Sequence, residues 1–296
     1  MFHQPVLLQE VIKWLDPKPG QKFIDATING GGHGSAILEK VQPDGKLLGI
    51  EWDNGLFKQL ESRFKNQESG KDLILVNDSY VNLKKIAEEK GFLETDGILF
   101  DLGMSSWHLD QSGRGFSFQK DEILDMRFNG ETEFSALEVV NTFSENDLRQ
   151  IISEYGEERF AGSIAKNIVE ARKTKIIKTT LELAEIIKNS VPVWYTNKRI
   201  NPATKTFQAL RIRVNQELEN VAKGLDSALE VLKKDGRAAV ISFHALEDRV
   251  VKNKFRDFKS KGLVEILTKK AVAPEYTEVK SNPRARSAKL RVFKKI

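Results

Sequence analysis

One run near the N-terminus constrains the fold more than any other. Residues 23–35 read Phe-Ile-Asp-Ala-Thr-Ile-Asn-Gly-Gly-Gly-His-Gly-Ser, a short apolar strand that ends in an acid and is followed by a glycine cluster and a helix start. Glycine has no Cβ, so such a loop can turn tightly and its backbone can approach a ligand at the helix N-terminus. This order of elements is typical of an α/β enzyme that binds a nucleotide-type cofactor.

The residues around the glycines narrow the kind of ligand. No Lys-Ser/Thr pair follows them, which excludes a P-loop. Gly30 and Gly32 fit the dinucleotide pattern, but the third small position is Ser35, so a nicotinamide or flavin cofactor stays open. An adenosine-type cofactor without a pyrophosphate fits better. The alternative interpretation is a loose turn with no ligand.

A second strand supplies the expected ribose acceptor. Residues 46–53 read Lys-Leu-Leu-Gly-Ile-Glu-Trp-Asp and place two acids about twenty residues past the glycines, where an acid accepts the ribose hydroxyls of an adenosine. Asp53 is the first choice and Glu51 the alternative. Both acids could instead be surface charge.

The order of elements predicts a parallel sheet interrupted by helices. Over the first hundred residues, helices and strands alternate, which implies helices on both faces and a ligand at the carboxyl ends of the strands. The predicted strands are 22–26, 47–51, 73–77 and 97–102, and the predicted helices are 6–15, a helix from about 35, 54–64 and 81–90. Four helical segments follow at 134–141, 145–155, 160–173 and 179–190, then a long helix at 206–233 and strands at 237–243, 263–268 and 288–293. We therefore predict a first domain part at 1–105, a helical insertion at 106–205, and the rest of the first domain with a basic C-terminal strand at 206–296.

Composition excludes several classes of function. The chain has 296 residues, 40% hydrophobic and 30% charged, as in an ordinary soluble globular protein. It has no cysteine, which excludes disulfides, thiolate zinc sites and cysteine nucleophiles. The four histidines show no paired spacing, so we expect no metal site. No apolar run approaches the roughly 20 residues of a membrane span, and the N-terminus lacks a signal-peptide pattern. A cytoplasmic protein without a membrane partner is expected.

Basic clusters point to a polyanionic partner. The net charge is +5, and residues 280–296 alone hold seven basic residues and no acid. A second cluster comprises Arg172, Lys173, Lys175 and Lys178. Such clusters are usually solvated faces, but the alternation of charged and apolar residues at 288–293 predicts a strand that would present its charges from a fixed surface. Binding to nucleic acid and plain solvation both stay open.

Three further segments hold candidate site residues. Asp101 ends the fourth strand and either faces a ligand or caps the next loop. Arg211 and Arg213 lie on the helix that follows Asn201, where they hold phosphate or are solvated. Ser242 and His244 lie where the next strand passes into a helix. They are either site residues or an N-terminal cap of that helix, and the cap is favoured.

Assembled in order, these segments resemble a known bacterial family. The motifs that carry the resemblance are His3-x-Pro-Val-Leu-Leu-x-Glu10, Asp25-Ala-Thr with Gly30-Gly-Gly-His33, Asp101-Leu-Gly-x-Ser-Ser106, Arg114-Gly-Phe-Ser-Phe118, Asp125-Met-Arg127, residues 201–212, residues 242–249 and residues 282–291. They run nearly end to end. The chain resembles the methyltransferases that modify the N4 amino group of a cytidine in the decoding region of small-subunit (16S) ribosomal RNA.

The resemblance implies a fold, a cofactor and contact residues. It implies an α/β, Rossmann-like class I methyltransferase sheet with an inserted all-helical subdomain, and S-adenosylmethionine as the cofactor. Carried over by motif, the cofactor contacts are Gly31, Gly32, His33, Asp53, Tyr80, Asp101 and His108. The chain departs from the family where Trp107-His108 replaces the common Pro-Gln, and where Glu51-Trp-Asp-Asn54 replaces Asp-Arg-Asp-Pro. An imidazole can still donate or accept one hydrogen bond at position 108.

The implied reaction assigns roles to individual residues. We expect Asp101 to be the catalytic acceptor for an N–H of the target amine, with Ser105 behind it. The absence of cysteine argues against methylation at pyrimidine C5, which needs a thiolate nucleophile. The target base must be unpaired or flipped, with the basic clusters on phosphates and stacking by Trp107, Phe116 or Phe118.

The partner expected is small-subunit rRNA or the assembled small ribosomal subunit, and the oligomeric state is left open. Three alternatives stay open as well. The enzyme could methylate amino groups of DNA or of adenine. The chain could be a non-catalytic ribosome-assembly factor. It could also be a Rossmann-type oxidoreductase.

Overall fold

The structure is a computed structural model that describes residues 5–65, 72–130, 132–197 and 200–296. His3 of the N-terminal motif lies outside these residues. By its contacts the chain divides into two compact units, the first made of Met1–Ser105 with Leu218–Ile296 and the second of Ser106–Glu217. We call them the sheet unit and the helical unit. None of the described helices combines the length and apolar character that a bilayer crossing requires.

The sheet unit is built on seven strands in the order β3-β2-β1-β4-β5-β7-β6. The strands are β1 Lys22–Asp25, β2 Lys46–Glu51, β3 Leu73–Asn77, β4 Thr95–Asp101, β5 Leu232–Ser242, β6 Val264–Ile266 and β7 Lys289–Lys295. Strands β3, β2, β1, β4 and β5 run parallel, which confirms the parallel arrangement expected of the first strands. Strand β7 pairs antiparallel with both β5 and β6, so the complete sheet is mixed.

This unit contains seven of the described helices, and the four that precede residue 100 alternate with the strands as predicted. The seven helices are α1 Leu8–Leu15, α2 Gly32–Val41, α3 Asn54–Phe64, α4 Leu83–Lys90, α12 Glu217–Val231, α13 Ala245–Ser260 and α14 Tyr276–Ser281. Short 3₁₀ turns span Tyr80–Asn82 and Pro283–Ser287. The apolar core includes strand residues such as Ile24, Leu48 and Phe100, with residues from α4, α12 and α13.

Two strand glycines let bulky neighbours pack directly on the sheet. A Cβ at Gly97 of β4 would lie 2.2 Å from a ring carbon of Phe23 on β1, and a Cβ at Gly49 of β2 would lie 2.4 Å from the side chain of Ile28. Ile28 belongs to the loop that follows β1. Gly49 therefore makes room for an apolar residue that holds this loop against the sheet.

The helical unit contains α5 Ser106–Asp110, α6 Ala136–Thr142, α7 Glu145–Gly156, α8 Ala161–Thr174, α9 Thr180–Asn189, α10 Val193–Thr196 and α11 Ala203–Asn215. Side-chain caps start three of the helices that the sequence predicted. Ser135 and Thr179 form capping boxes with Glu138 and Glu182, and Ser144 caps α7. A Cβ at Gly156 would lie 2.7 Å from the carbonyl oxygen of Lys205, so this glycine allows α7 and α11 to approach closely.

The prediction of one long helix over 206–233 is wrong. The chain forms α11 and α12, which are separated by Gln216 in the left-handed conformation at φ 50°. Left-handed backbone cannot continue a right-handed helix. The boundary between the two units follows Glu217, whereas the boundary predicted from the sequence lies between 205 and 206.

The contact of Gly97 with Phe23 predicts the outcome of a substitution. Gly97→Ala should destabilise the sheet unit by about 1–3 kcal/mol, because the added methyl overpacks a ring that is only 1% exposed. In a Phe23→Leu background the same change should cost clearly less, since the clashing ring carbon is gone. Urea unfolding of the four proteins of this double-mutant cycle measures the coupling. Equal costs in both backgrounds would contradict the proposed contact.

Candidate active site

The loop after β1 is fixed to the strands on both sides. The Ala26 N–H donates to the Leu99 carbonyl beside β1, at 2.8 Å, and the Ile28 N–H donates to the Ile50 carbonyl on the other side, at 3.0 Å. The Gly31 N–H then donates to the Ile28 carbonyl at 2.7 Å. The glycine cluster therefore lies at the carboxyl ends of three neighbouring strands, where ligands of open α/β sheets bind.

Gly31 is required by both backbone and space. It adopts φ 76° as the residue before α2, and a Cβ there would lie 2.9 Å from the ring of Phe64. The next residue, Gly32, opens α2, and a Cβ on it would lie 3.1 Å from Pro5. Any larger residue at position 31 would strain the backbone and also collide with Phe64.

His33, in the first turn of α2, is buried and neutral at pH 7. Its Nε2 lies 2.9 Å from the carbonyl oxygen of Val6, and because a carbonyl only accepts, Nε2 carries the hydrogen. Burial lowers the pKa of His33 to about 4 despite that bond. Nδ1 is then an unprotonated acceptor, and it lies 3.5 Å from Oδ2 of Asp101.

Asp101 stands at the end of β4 and is tied to the glycine loop. Its N–H donates to Oγ1 of Thr27 at 2.6 Å, and the side-chain amide of Asn29 donates to its carbonyl at 3.2 Å. The Gly103 N–H donates to its Oδ1 at 3.2 Å. The loop-capping role, which was one of the two alternatives for Asp101, is therefore present in the structure, and the role of Asp101 in a ligand site stays a prediction.

Asp25 is a buried acid that was not among the residues predicted for the site. It ends β1, is 1% exposed, and accepts the Thr27 N–H at 3.3 Å. Burial raises the pKa of Asp25 to about 8, and the Asp101 carboxylate adds to the rise. The sequence could have identified Asp25, because this acid ends a predicted strand in the same way as Asp101 does.

The two acids near the end of β2 have different surroundings. Asp53 is the N-cap of α3, and its Oδ1 accepts the N–H groups of Gly55 and Leu56 at 2.8 and 3.0 Å. Glu51 accepts the Asp53 N–H at 2.8 Å through Oε1. Burial raises the pKa of Glu51 to about 8; the bond from the Asp53 N–H opposes this rise and the Asp53 charge adds to it.

These buried acids form one edge, which we call the acidic edge: Asp25, Glu51, Asp53 and Asp101. Each is at most 6% exposed. Ionised carboxyl groups at this edge repel a pyrophosphate and attract a cation, because Coulomb interactions are strong where water is excluded, and a bound cation would in turn favour the ionised forms of Asp25 and Glu51. The arrangement fits a cationic adenosine cofactor better than a dinucleotide.

Tyr80 and His108 are the remaining predicted cofactor contacts. Tyr80, in the sheet unit, is partly buried and meets Phe100 edge to face at a centroid distance of 5.6 Å. His108 lies in the helical unit, is 3% exposed, and meets the rings of Phe116 and Phe128 edge-on at 5.3 and 4.9 Å. The cofactor roles of both residues stay predictions.

Two residues nominated for base stacking serve internal packing. Phe116 is 6% exposed and stacks on Phe128 at 5.2 Å with an interplanar angle of 16°. Phe118 meets Phe207 edge to face at 5.2 Å. A covered ring face cannot take a base, so the structure removes the Phe128-facing side of Phe116 from the stacking surface.

The basic C-terminal strand uses several of its charges within the protein. Arg291 binds Asp248 through Nε at 2.6 Å and Nη2 at 3.2 Å, and Lys289 binds the same carboxylate at 3.2 Å. Lys294 pairs with Glu265 at 3.1 Å, whereas Arg284 and Arg286 are exposed. The expectation that the strand at 288–293 presents its charges from a fixed surface is therefore wrong for Arg291, whose side chain is 14% exposed.

The second basic cluster is also engaged. Arg172 donates to the carbonyls of Val140 and Phe143 at 2.7 and 2.6 Å, where it caps the end of α6. Lys173 pairs with Glu170 at 2.7 Å. Lys175 pairs with Glu182. These contacts account for most of the cluster without a phosphate.

The structure also shows the contacts of the candidate residues at 211–213 and 242–244, for which two roles were left open. Arg211 binds Glu217 through two hydrogen bonds of 2.8 and 2.9 Å, and Arg213 lies over the ring of Phe134 at 5.8 Å. His244 is the N-cap of α13, where its Nδ1 accepts the Glu247 N–H at 3.3 Å. The capping interpretation of His244 is confirmed.

Comparisons with known proteins agree along the whole chain. The model of the MraW methylase family matches residues 1–296. A protein of Syntrophus aciditrophicus named ribosomal RNA small subunit methyltransferase H is 43% identical, covering 100% of this chain and 98% of the relative. One of the same name from Sulfurihydrogenibium sp. is 45% identical, covering 99% of each. A crystal structure of a candidate rRNA methylase from Clostridium thermocellum has a TM-score of 0.50 at 12% identity, covering 100% of both chains, which supports the fold alone.

The acidic edge predicts how stability changes with pH. The pKa values of Asp25 and Glu51, about 8 when folded, exceed their ordinary values of 3.8 and 4.5, so the folded chain holds protons that the unfolded chain loses between about pH 4 and 8. Each group therefore contributes to the free energy of unfolding. This contribution is fully present below the pKa of the group in the unfolded chain, and it is lost as the pH rises to about 8. Asp25→Asn removes one such group.

The variant Asp25→Asn should therefore gain stability relative to the wild type as pH rises from 5 to 8, by an amount of the order of 1 kcal/mol per pH unit. Urea unfolding at several pH values measures the difference. Asp44→Asn, at an exposed acid of the same unit in left-handed conformation, is the control and should follow the wild type. Identical pH slopes for Asp25→Asn and the wild type would contradict the account of Asp25.

Proposed function

Because this chain belongs to the MraW methylase family, we propose that it transfers the methyl group of S-adenosylmethionine to the N4 amino group of a cytidine in the decoding region of small-subunit rRNA. The names of the relatives support rRNA of the small subunit as the substrate class. The choice of N4 and of the decoding region rests on the motif resemblance. Such a reaction would take place in the cytoplasm, on free rRNA or on the assembled subunit.

The observation that carries this proposal is the acidic edge around the glycine loop. S-adenosylmethionine supplies an activated methyl group on a positively charged sulfonium. The residues proposed to hold it are Gly31, Gly32, His33, Asp53, Tyr80, Asp101 and His108. Buried carboxyl groups at the carboxyl ends of β1, β2 and β4 favour a cationic cofactor over its neutral thioether product, because only the cofactor carries the charge.

Asp53 is the proposed ribose acceptor. Its Oδ1 already accepts two N–H groups of α3, which fixes the orientation of the carboxylate. Glu51 supports Asp53 from behind by accepting its N–H. Asp53 would therefore cap α3 and bind the ribose with the same side chain, whose orientation the cap fixes.

Asp101 has the geometry of a proton acceptor. The lone pair of a cytosine amino group is delocalised into the ring, so an acceptor for its N–H helps to aim the nitrogen at the methyl carbon. A proton taken up at Oδ2 of Asp101 would face Nδ1 of His33, an unprotonated acceptor at 3.5 Å. Neutral His33 thereby stabilises Asp101 in the protonated state that follows transfer. Most of the rate gain comes from alignment of amine and methyl group.

Product analysis tests the proposed function. The protein is incubated with methyl-labelled S-adenosylmethionine and small ribosomal subunits from cells that lack the enzyme, and the nucleosides are separated by mass spectrometry. We expect label in N4-methylcytidine. Label in adenine, or in DNA supplied in parallel, would assign a different amino substrate. Absence of label with both subunits and naked rRNA would contradict the proposal.

Asp101→Asn should lower kcat by about 100-fold or more at saturating cofactor, because the amide cannot take up a proton. The variant should fold normally, since its oxygen can accept the Gly103 N–H and its nitrogen can donate to Nδ1 of His33. Single-turnover kinetics with labelled cofactor measure the rate. An undiminished rate would remove Asp101 from the catalytic role.

Asp53→Asn should instead act on cofactor binding. Asparagine keeps the cap of α3, so stability should change little, but a charged acceptor for the ribose is lost. We expect the Kd for S-adenosylmethionine to rise by about 10-fold to 100-fold. Isothermal titration of the variant beside Glu51→Gln provides the measurement. A larger loss for Glu51→Gln would transfer the ribose role to Glu51.

A further inference from the structure

The helical unit presents an exposed tryptophan on a rigid support. Trp194, in the short helix α10, is 51% exposed. The ring of Phe160, which directly precedes α8, meets it edge to face at 6.0 Å, and the ring of Tyr195 lies 5.7 Å away. The guanidinium of Arg159 lies over both Phe160 and Trp194, at 5.5 and 5.7 Å from the ring centroids.

Buried hydrogen bonds hold this cluster in place. Glu158 is 4% exposed; it accepts the phenol of Tyr195 at 2.7 Å and the Phe160 N–H at 2.9 Å. Burial and that bond to Glu158 raise the pKa of Tyr195 to about 12, so the phenol stays a donor. Ser163 donates to the carbonyl of Ser190 at 2.7 Å and ties α8 to the segment before α10.

Two observations indicate what covers the tryptophan. The Trp194 ring is half exposed, and its ring contacts hold it beside the exposed guanidinium of Arg159. A flat aromatic ring beside a guanidinium matches a nucleobase and its phosphate.

We propose that Trp194, supported by Phe160 and Arg159, is a stacking platform for an unpaired base of the substrate RNA. This inference rests on the proposed function, because it assumes an RNA substrate. The platform provides affinity rather than chemistry: the base stacks on the exposed part of the indole ring, away from the guanidinium of Arg159, and Arg159 contacts the adjoining phosphate. Stacking needs an unpaired base, so the platform distinguishes single-stranded from paired RNA.

Binding measurements with matched variants test the platform. Trp194→Ala should weaken binding of a single-stranded RNA oligonucleotide by about 5-fold to 150-fold, as expected for loss of one stacked base. Trp194→Phe should restore most of the affinity. Binding of a fully paired RNA duplex of the same length should change little in either variant. Ile176→Ala removes an apolar side chain of similar exposure, 55%, from the same unit and should behave as the wild type.

The outcomes separate this proposal from the proposed function. A wild-type protein that methylates its rRNA while Trp194→Ala binds single strands equally well would overturn the platform alone. A changed oligomeric state of Trp194→Ala with unaltered RNA affinity would assign the surface to a second copy of the chain and also overturn it. A wild-type protein that neither binds nor methylates RNA would overturn both. Cofactor titration shows that the variants remain folded.

Discussion

The parallel pairing of β1 with β2 and β4 is the interaction on which the rest of the site depends. It brings the ends of three strands to one edge, and the N–H groups of Ala26 and Ile28 extend the pairing into the loop beyond β1. The glycine cluster is thereby fixed before any ligand arrives. This arrangement requires glycine at positions 49 and 97, because a larger residue at either position would displace the loop or β1.

This geometry also explains the unusual electrostatics. Acids at the ends of neighbouring strands are buried together, which raises the pKa values of Asp25 and Glu51 and disfavours their charged forms. Such burial opposes stability at neutral pH, so it is better explained by function than by folding. A cationic ligand relieves the repulsion by favouring the ionised forms. Neutral His33 lies beside Asp101, so that Asp101 can take up a proton at Oδ2 and both side chains are then uncharged.

Much of this could be predicted from the sequence, since hydrophobic periodicity locates strands and the glycine run locates the loop. The caps of α6, α9 and α13 are local as well, because they depend on residues three apart. What could not be predicted depends on tertiary contacts. The break at Gln216 has no glycine or proline to mark it, and the pairing of Arg291 with Asp248 joins residues far apart in the chain. For the same reason the internal pairing of Arg172, Lys173 and Lys175 and the ring contacts of Trp194 could not be predicted from the sequence.

Amide hydrogen exchange with and without S-adenosylmethionine tests the central claim most directly. If the cofactor binds at the acidic edge, exchange should slow in peptides that cover the glycine loop at 29–34, the start of α3 at 53–56 and the end of β4 at 101–103. The same peptides should be less protected by the neutral thioether product. Protection confined to other parts of the chain, with these three peptides unchanged, would contradict the account.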